Sequence, residues 1–299
     1  NVNLVDFDLG KLTGQKLLGK LSTQAKLQAH GIDFATMEAQ TDATISRFDF
    51  NGYAYHDVKL KGSLNKQVIQ SDLVVDDDHL TLDFKGSIDL SKPETHFKFN
   101  AFLANANLQP LGFDTMDLTI GAQAQIDFAW RDLDHNKGSI ALQDISIARN
   151  EELYQINHID FTSSVSNTNR VLKLNTDNIT AEANGQFNIL ELKNTALIAL
   201  HKLIPEYFTA PATQNSLAQN FSFSANVQSL YPFNNLYFST VDLKKAVVSG
   251  DFNETKQVWN LQATADNFKY DNLRFTRINI THDKANLNAK FGRFLINDT

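Results

Sequence analysis

The residues best suited to chemistry stand too far apart to act together locally. The eight histidines are His30, His56, His79, His96, His135, His158, His201 and His282, and no two lie within sixteen residues. The i, i+4 pair with which a helix holds zinc is therefore missing. Asp76-Asp77-Asp78-His79 is the densest polar cluster. Clustered carboxylates can bind calcium, but the spaced acidic loop with its central glycine and closing glutamate is absent. The cluster reads as a solvated turn between Leu73–Val75 and Leu80–Phe84, and Asp132, Asp134 and His135 read the same way. Gly10-Lys11 and Gly19-Lys20 lack the rest of a phosphate loop, and neither a Gly-x-Ser-x-Gly elbow nor a Gly-x-Gly-x-x-Gly turn occurs. There is no cysteine, which removes disulfides, thiolate metal sites and cysteine nucleophiles. The expectation is no catalytic residue, no metal and no cofactor.

The elements that could position anything are strands. Leu21, Thr23, Ala25, Leu27 and Ala29 share one parity, and Met37, Ala39, Thr41, Ala43 and Ile45 repeat it. The row Leu118, Ile120, Ala122, Ala124, Ile126, Phe128 and Trp130 keeps it for thirteen residues. Period-two alternation gives each strand one apolar and one polar face. Turn residues at Asn51-Gly52, Asp76–Asp78, Lys92-Pro93, Asp134–Lys137 and Asp271-Asn272 divide about eighteen such runs. Many runs reach ten residues, against the usual five or six. Their internal glycines predict bends in mid-strand.

One repeat aligns without gaps: Phe48 to Leu60 (FDFNGYAYHDVKL) on Phe268 to Ile280 (FKYDNLRFTRINI). Each holds two apolar residues, a two-residue turn, two more apolar residues and a change of parity, as a tight hairpin would. Ile145–Phe161 is a looser third copy, with the turn at Asn150-Glu151-Glu152. Two segments depart from the pattern. Leu9–Leu21 carries a tandem echo and predicts a short helix, and Glu191–Ile204 has the apolar stripe of a helix ended by Pro205. The polar stretch 209–220 predicts a boundary. The division expected is 1–208 with a helix near 191–204, a linker at 209–220, and 221–299.

Of 299 residues 42% are hydrophobic and 20% charged, a folding composition, and 22 are Phe against 2 Trp and 2 Met. A net charge of −7 without a basic run argues against nucleic acid. The chain lacks an initiator Met, a signal peptide and a run of eighteen apolar residues, and strand-like sequence at both termini predicts a piece of a larger chain.

So many strands exceed a comfortable open sheet of about ten. An extended array stacked at about 4.8 Å per strand would span roughly 80–90 Å. Bent strands would fold it over an apolar trough larger than the few hundred Å² of apolar patch that soluble monomers tolerate. The expected fold is mostly β: an elongated bent sheet of repeated hairpins with one or two short helices. The lining expected for the trough is Phe48, Phe50, Tyr53, Tyr55, Leu80, Leu82, Phe84, Phe97, Phe99, Leu118, Ile120, Ile126, Phe128, Trp130, Phe187, Phe221, Phe223, Trp259, Leu261, Phe268, Tyr270 and Phe275.

Several phrases carry a family resemblance. Phe7-Asp-Leu-Gly-Lys-Leu-Thr-Gly, Leu17-Leu-Gly-Lys-Leu-Ser, Phe48 to Gly62 and Phe84-Lys-Gly-Ser-Ile-Asp-Leu resemble the repeated phrases of TamB-type proteins, especially those of Bacteroidota. Phe97 to Leu108, Phe187 to Phe208 and Phe268 to Ile280 continue the likeness over nearly the whole chain. TamB belongs with the AsmA-like proteins. The resemblance implies a periplasmic segment of a protein anchored in the inner membrane, a hydrophobic β-groove carrying phospholipid acyl chains to the outer membrane, and an Omp85-type barrel partner (TamA or a BamA relative) engaged by other parts of the protein. Two readings compete with the lipid conduit. One is a scaffold holding outer-membrane strands by edge pairing. The other is a glycan hydrolase, for which no two acids group beyond turn chemistry.

Overall fold

The computed structural model describes residues 1–150, 152–203, 206, 209, 211, 218–256, 258–283 and 286–296. Strand makes up 70% and helix 8%, far below the usual third of helix, so the fold is mostly β. The strands are β1 (Val2–Asp8), β2 (Leu18–His30), β3 (Glu38–Phe50), β4 (Tyr53–Tyr55), β5 (Val58–Asn65), β6 (Val68–Asp77), β7 (Leu80–Asp89), β8 (Thr95–Asn107), β9 (Leu118–Asp132), β10 (His135–Arg149), β11 (Glu152–Ser166), β12 (Asn169–Thr176), β13 (Ile179–Gln186), β14 (Asn220–Ser229), β15 (Val241–Asn253), β16 (Val258–Tyr270), β17 (Leu273–Asp283), β18 (Asn286–Lys290) and β19 (Arg293–Ile296). The helices are α1 (Leu9–Thr13), α2 (Leu192–Leu203) and α3 (Phe233–Tyr237), with a 3-10 turn at Ile189–Glu191 leading into α2.

The chain forms two compact units: Asn1–Arg131 with Gly138–His158, and Asp132–Lys137 with Ile159–Thr299. In unit 1 each strand from β1 to β9 pairs antiparallel with the next, β4 and β5 both lying on β3. Unit 2 is itself an antiparallel meander from the second half of β11 to β17, and both β18 and β19 lie on β17. The chain exposes 18734 Å², whereas two compact bodies of half its mass would together expose about 15,000 Å². Much of the apolar face is accordingly half-buried, as at Phe84, Phe97, Phe99, Phe221 and Phe223.

The repeated phrase is a bent hairpin in both copies. Phe48 pairs with Tyr55 and Phe50 with Tyr53; Phe268 pairs with Phe275 and Tyr270 with Leu273. Asn51 (φ 52°) and Gly52 (φ 83°) make the first turn, and Asp271 (φ 55°) opens the second. At the change of parity stands a left-handed residue, Asp57 (φ 51°) in one copy and Arg277 (φ 50°) in the other, at the same place in the alignment. Tyr55 and Val58, three apart, are consequently both buried. The third copy is preceded by a left-handed residue of the same kind, Asp144 (φ 49°), which stands before its hairpin turn and not after it, with Ile145 and Ile147 buried beyond. Its turn is tighter than expected, since β10 ends at Arg149 and β11 begins at Glu152; Glu151 itself lies outside the described residues.

Bending was expected at glycines, and here the structure differs: these corners use Asp57, Asp144 and Arg277. The strand glycines serve close approach instead. Gly86 pairs with Phe99, Gly185 with Phe221 and Gly250 with Phe223. A Cβ on Gly250 would stand 2.9 Å from Phe223 Cζ, and one on Gly185 would overlap the Asn220 carbonyl and the Phe221 backbone. An absent side chain on one strand leaves the seat for an aromatic on the next. Gly185 also holds φ at 144°. Gly185→Val should therefore lower the stability of unit 2 by at least about 2 kcal/mol through overlap and backbone strain, read from its urea unfolding midpoint. Unchanged stability would show that Phe221 needs no such seat.

Two expected helices are revised. In Leu9–Leu21 only Leu9–Thr13 is helical: Asp8 caps it through Lys11 N–H, left-handed Gly14 ends it, and the second echo opens β2. The second helix runs as a 3-10 turn and α2, ending at Leu203; Ile204 and Pro205 lie outside the described residues. So does most of 209–220; the strands that flank it in sequence, β13 and β14, pair directly. The short helix α3 was not foreseen.

Candidate functional site

Register lines up the apolar side chains in rows across each unit. In unit 1 one row runs Leu64, Ile69, Ile88, Phe97 and Phe128, and another joins Leu60, Leu73 and Phe84. Phe99 sits between Gly86 and Ile126, its ring 4.9 Å from that of Phe84. Leu118, Ile120 and Trp130 share this parity along β9; Leu118 and Phe128 are buried and Trp130 is 38% exposed. In unit 2 Phe221, Phe252 and Trp259 form a row, and Ala183, Phe223, Gly250 and Leu261 the next. Phe187, buried, packs 5.3 Å from Phe221. Phe268 stacks on Phe275, while Tyr270 at the turn is 56% exposed.

Part of the expected lining is core. Tyr55, Val58, Val75, Ala106 and Leu111 form one buried cluster, and Phe48, Phe50, Tyr53, Leu80 and Leu82 pack against it. The β8–β9 connection covers this end of the face. Its Leu111 is 1% exposed, Phe113 meets Phe50 at 6.4 Å, and Asn51 Nδ2 donates to the Gly112 carbonyl at 2.8 Å. The more open part of the unit 1 face is the half-buried middle, around Phe84, Phe97, Phe99 and Ile126.

Asp77 departs from the solvated turn expected of it. Its side chain is 2% exposed, and its carboxylate accepts the Tyr53 hydroxyl at 2.6 Å and the N–H groups of His56 at 2.8 Å and His79 at 3.0 Å. Burial alone would push this carboxyl up; the three donors outweigh it and hold it below the usual carboxylate range. Burial and the same carboxylate push the Tyr53 hydroxyl well above its ordinary value. Asp76 and Asp78 point to solvent. Because the folded pKa is depressed, the stability that Asp77 contributes is full above about pH 4, the unfolded value, and is lost as pH falls through the folded pKa. Asp77→Asn should abolish that acid-range loss and cost about 1–3 kcal/mol at neutral pH. Urea unfolding followed across the acid range checks this; a variant with the wild-type pH profile would refute it.

Asp134 is likewise no surface turn. It lies beside Arg170, whose side chain is 5% exposed, with Nη1 3.5 Å from Oδ1. The same Oδ1 accepts Ile189 N–H at 2.6 Å, tying the 3-10 turn to the β9–β10 hairpin. Arg170 Nη2 reaches the Asn136 carbonyl at 3.5 Å, and Arg170 Nε and Asp134 Oδ2 have no partner. Burial pulls the guanidinium below its usual value, against the pull of Asp134 and Asp132. His282, 2% exposed, stacks on Trp259 at 3.9 Å and donates from Nδ1 to the Trp259 carbonyl at 2.9 Å. Each of these groups fastens structure; the exposed His56 imidazole also stands with Nδ1 3.6 Å from Asp77 Oδ2. Among the described residues no three metal-ligating side chains group together, and no helix is long and apolar enough to cross a membrane.

The opposite face is a polar ladder. Lys26, Asp42, Lys61, Asp72, Lys85, Asn100 and Gln125 stand in register across β2 to β9. A hollow of about 630 Å³ opens among Lys26, Asp42, Lys61 and Asp72, and others adjoin it. The available signal was Phe102, whose parity is opposite to that of Phe97 and Phe99. No protein-family model, curated protein or solved structure matches the chain.

Proposed function

We propose that the apolar faces of the two units bind the acyl chains of phospholipid, and that the chain is a segment of a periplasmic bridge of TamB or AsmA-like kind. Such a bridge hands lipid between inner and outer membranes without covalent chemistry. The observation that carries this reading is the half-buried middle of the apolar face, with Phe84, Phe97, Phe99 and Ile126 in adjoining rows. Among the described helices and strands the substantial contacts are between sheet neighbours, besides α1 on β2 and the 3-10 turn on α2, and the β8–β9 connection covers one end of the unit 1 face. An apolar face of this kind calls for an occupant, and acyl chains meet it without leaving any polar group unpaired.

Dimensions agree. Because β4 and β5 share one place beside β3, seven strand spacings separate β1 from β9, about 34 Å measured along the sheet, while one acyl chain covers half of a hydrocarbon core, about 15 Å. Lipids could therefore follow one another across the strands with their head groups in water. The anchor and the Omp85-type barrel partner belong to this proposal through the family resemblance. Lipid extraction and mass spectrometry of the purified chain test it: stoichiometric phospholipid is expected, and a lipid-free protein that instead captures unfolded outer-membrane strands would favour the scaffold reading.

A further inference from the structure

Phe102 lies in the middle of β8, a strand paired on both sides, and is 52% exposed. Among the described residues the other exposed phenylalanines, such as Phe34, Phe113 and Phe294, occupy turns, loops or edge strands. Isolated apolar residues on a surface are ordinary; what distinguishes Phe102 is its setting. It lines a hollow of about 420 Å³ with Asp83, Asn100, Gln123, Gln125 and Gln143. Gln123 is held in place, donating from Nε2 to Asp144 at 2.7 Å. A second hollow of about 550 Å³ shares Lys85, Asn100 and Gln125 with the first, and the 630 Å³ hollow shares Gln70 and Asp72 with the second. Together they make a furrow across the polar face of unit 1.

We propose that this furrow binds a linear, uncharged β-1,4-linked glycan, with one sugar ring stacked on Phe102. A pyranose ring offers an apolar C–H face to an aromatic and a rim of hydroxyls that both donate and accept. Asn and Gln side chains match such a rim because each carries a donor and an acceptor. Most charges of the furrow are paired, Lys85 with Asp72 at 3.1 Å, Lys98 with Asp127 at 3.2 Å and Lys61 with Asp42 at 3.8 Å, which favours a neutral ligand over an ionic one. Side chains recur across the furrow every strand, about 4.8 Å, close to the length of one sugar residue, so a flat extended glycan keeps step with the ladder. Phe102 has the parity opposite to Phe99 along β8, and although the 550 Å³ hollow also touches Phe99 and Ile126, loss of glycan binding and loss of lipid are read by separate variants, Phe102→Ala and Phe99→Asp.

The test is calorimetric titration of the whole chain with cellohexaose and chitohexaose, and with maltohexaose, whose α-linkages curl the chain. Binding of a β-linked hexamer is expected, weakened about tenfold or more by Phe102→Ala and retained by Phe102→Tyr. Val247→Ala, on the polar face of unit 2, should bind as wild type. Phe102 is exposed, so its variants should keep the wild-type melting temperature, which confirms that any loss is local. The proposal is overturned if neither β-linked hexamer binds at millimolar concentration, if Phe102→Ala binds like wild type, or if maltohexaose binds equally well.

Discussion

Asp134→Ala should destabilise unit 2 by about 3–5 kcal/mol, the usual consequence of leaving one partner of a buried ion pair uncompensated. Arg170 is buried, two of its polar contacts are stretched to 3.5 Å, and Nε has none, so after loss of Asp134 only the weaker pull of Asp132 acts on the guanidinium. The variant also frees Ile189 N–H, and hydrogen exchange should rise at residues 188–191. Replacing both charges, Asp134→Leu with Arg170→Met, should recover most of the loss, because apolar pairs of similar size commonly match a buried ion pair. Urea unfolding of the three variants separates the alternatives. If the double variant is as unstable as Asp134→Ala, the cost lies in the lost backbone bond and not in the stranded guanidinium.

Phe99→Asp should remove most bound lipid, at least about tenfold, while the protein stays folded. Phe99 is half-buried in the middle of its row, beside Phe84 and opposite Gly86 and Ile126. A carboxylate there meets water when the face is empty but must be stripped of it when an acyl chain lies across, which is costly for an ion. Phe99→Leu keeps an apolar surface and should lose little. The readout is phospholipid per protein at matched melting temperature. A folded Phe99→Asp protein with a full lipid load would place the acyl chains elsewhere.

Strand faces and the repeat were legible in the sequence because both depend on parity and short-range turn chemistry. The gapless alignment of Phe48–Leu60 with Phe268–Ile280 became two hairpins of equal register, down to the left-handed corner at Asp57 and Arg277. Asp77, Asp134 and Arg170 were illegible for a different reason. Whether an acid in a turn is solvated or buried depends on distant strands: Asp77 meets Tyr53 across 24 residues, and Asp134 meets Arg170 across 36. The glycines misled because one residue type serves two purposes, bending and close approach, and only the cross-strand partner tells them apart. The β8–β9 connection, which turns part of the expected lining into core, has no periodicity to betray it.

The central claim is that one face of these strands meets lipid and the other does not. Phe99 and Phe102 lie three residues apart on β8 with opposite parity, so a photo-crosslinking phenylalanine analogue at each, irradiated in the envelope of living cells, makes a matched comparison. Phospholipid adducts are predicted at position 99 and not at 102. Adducts equal at both positions, or absent from 99, would contradict the account.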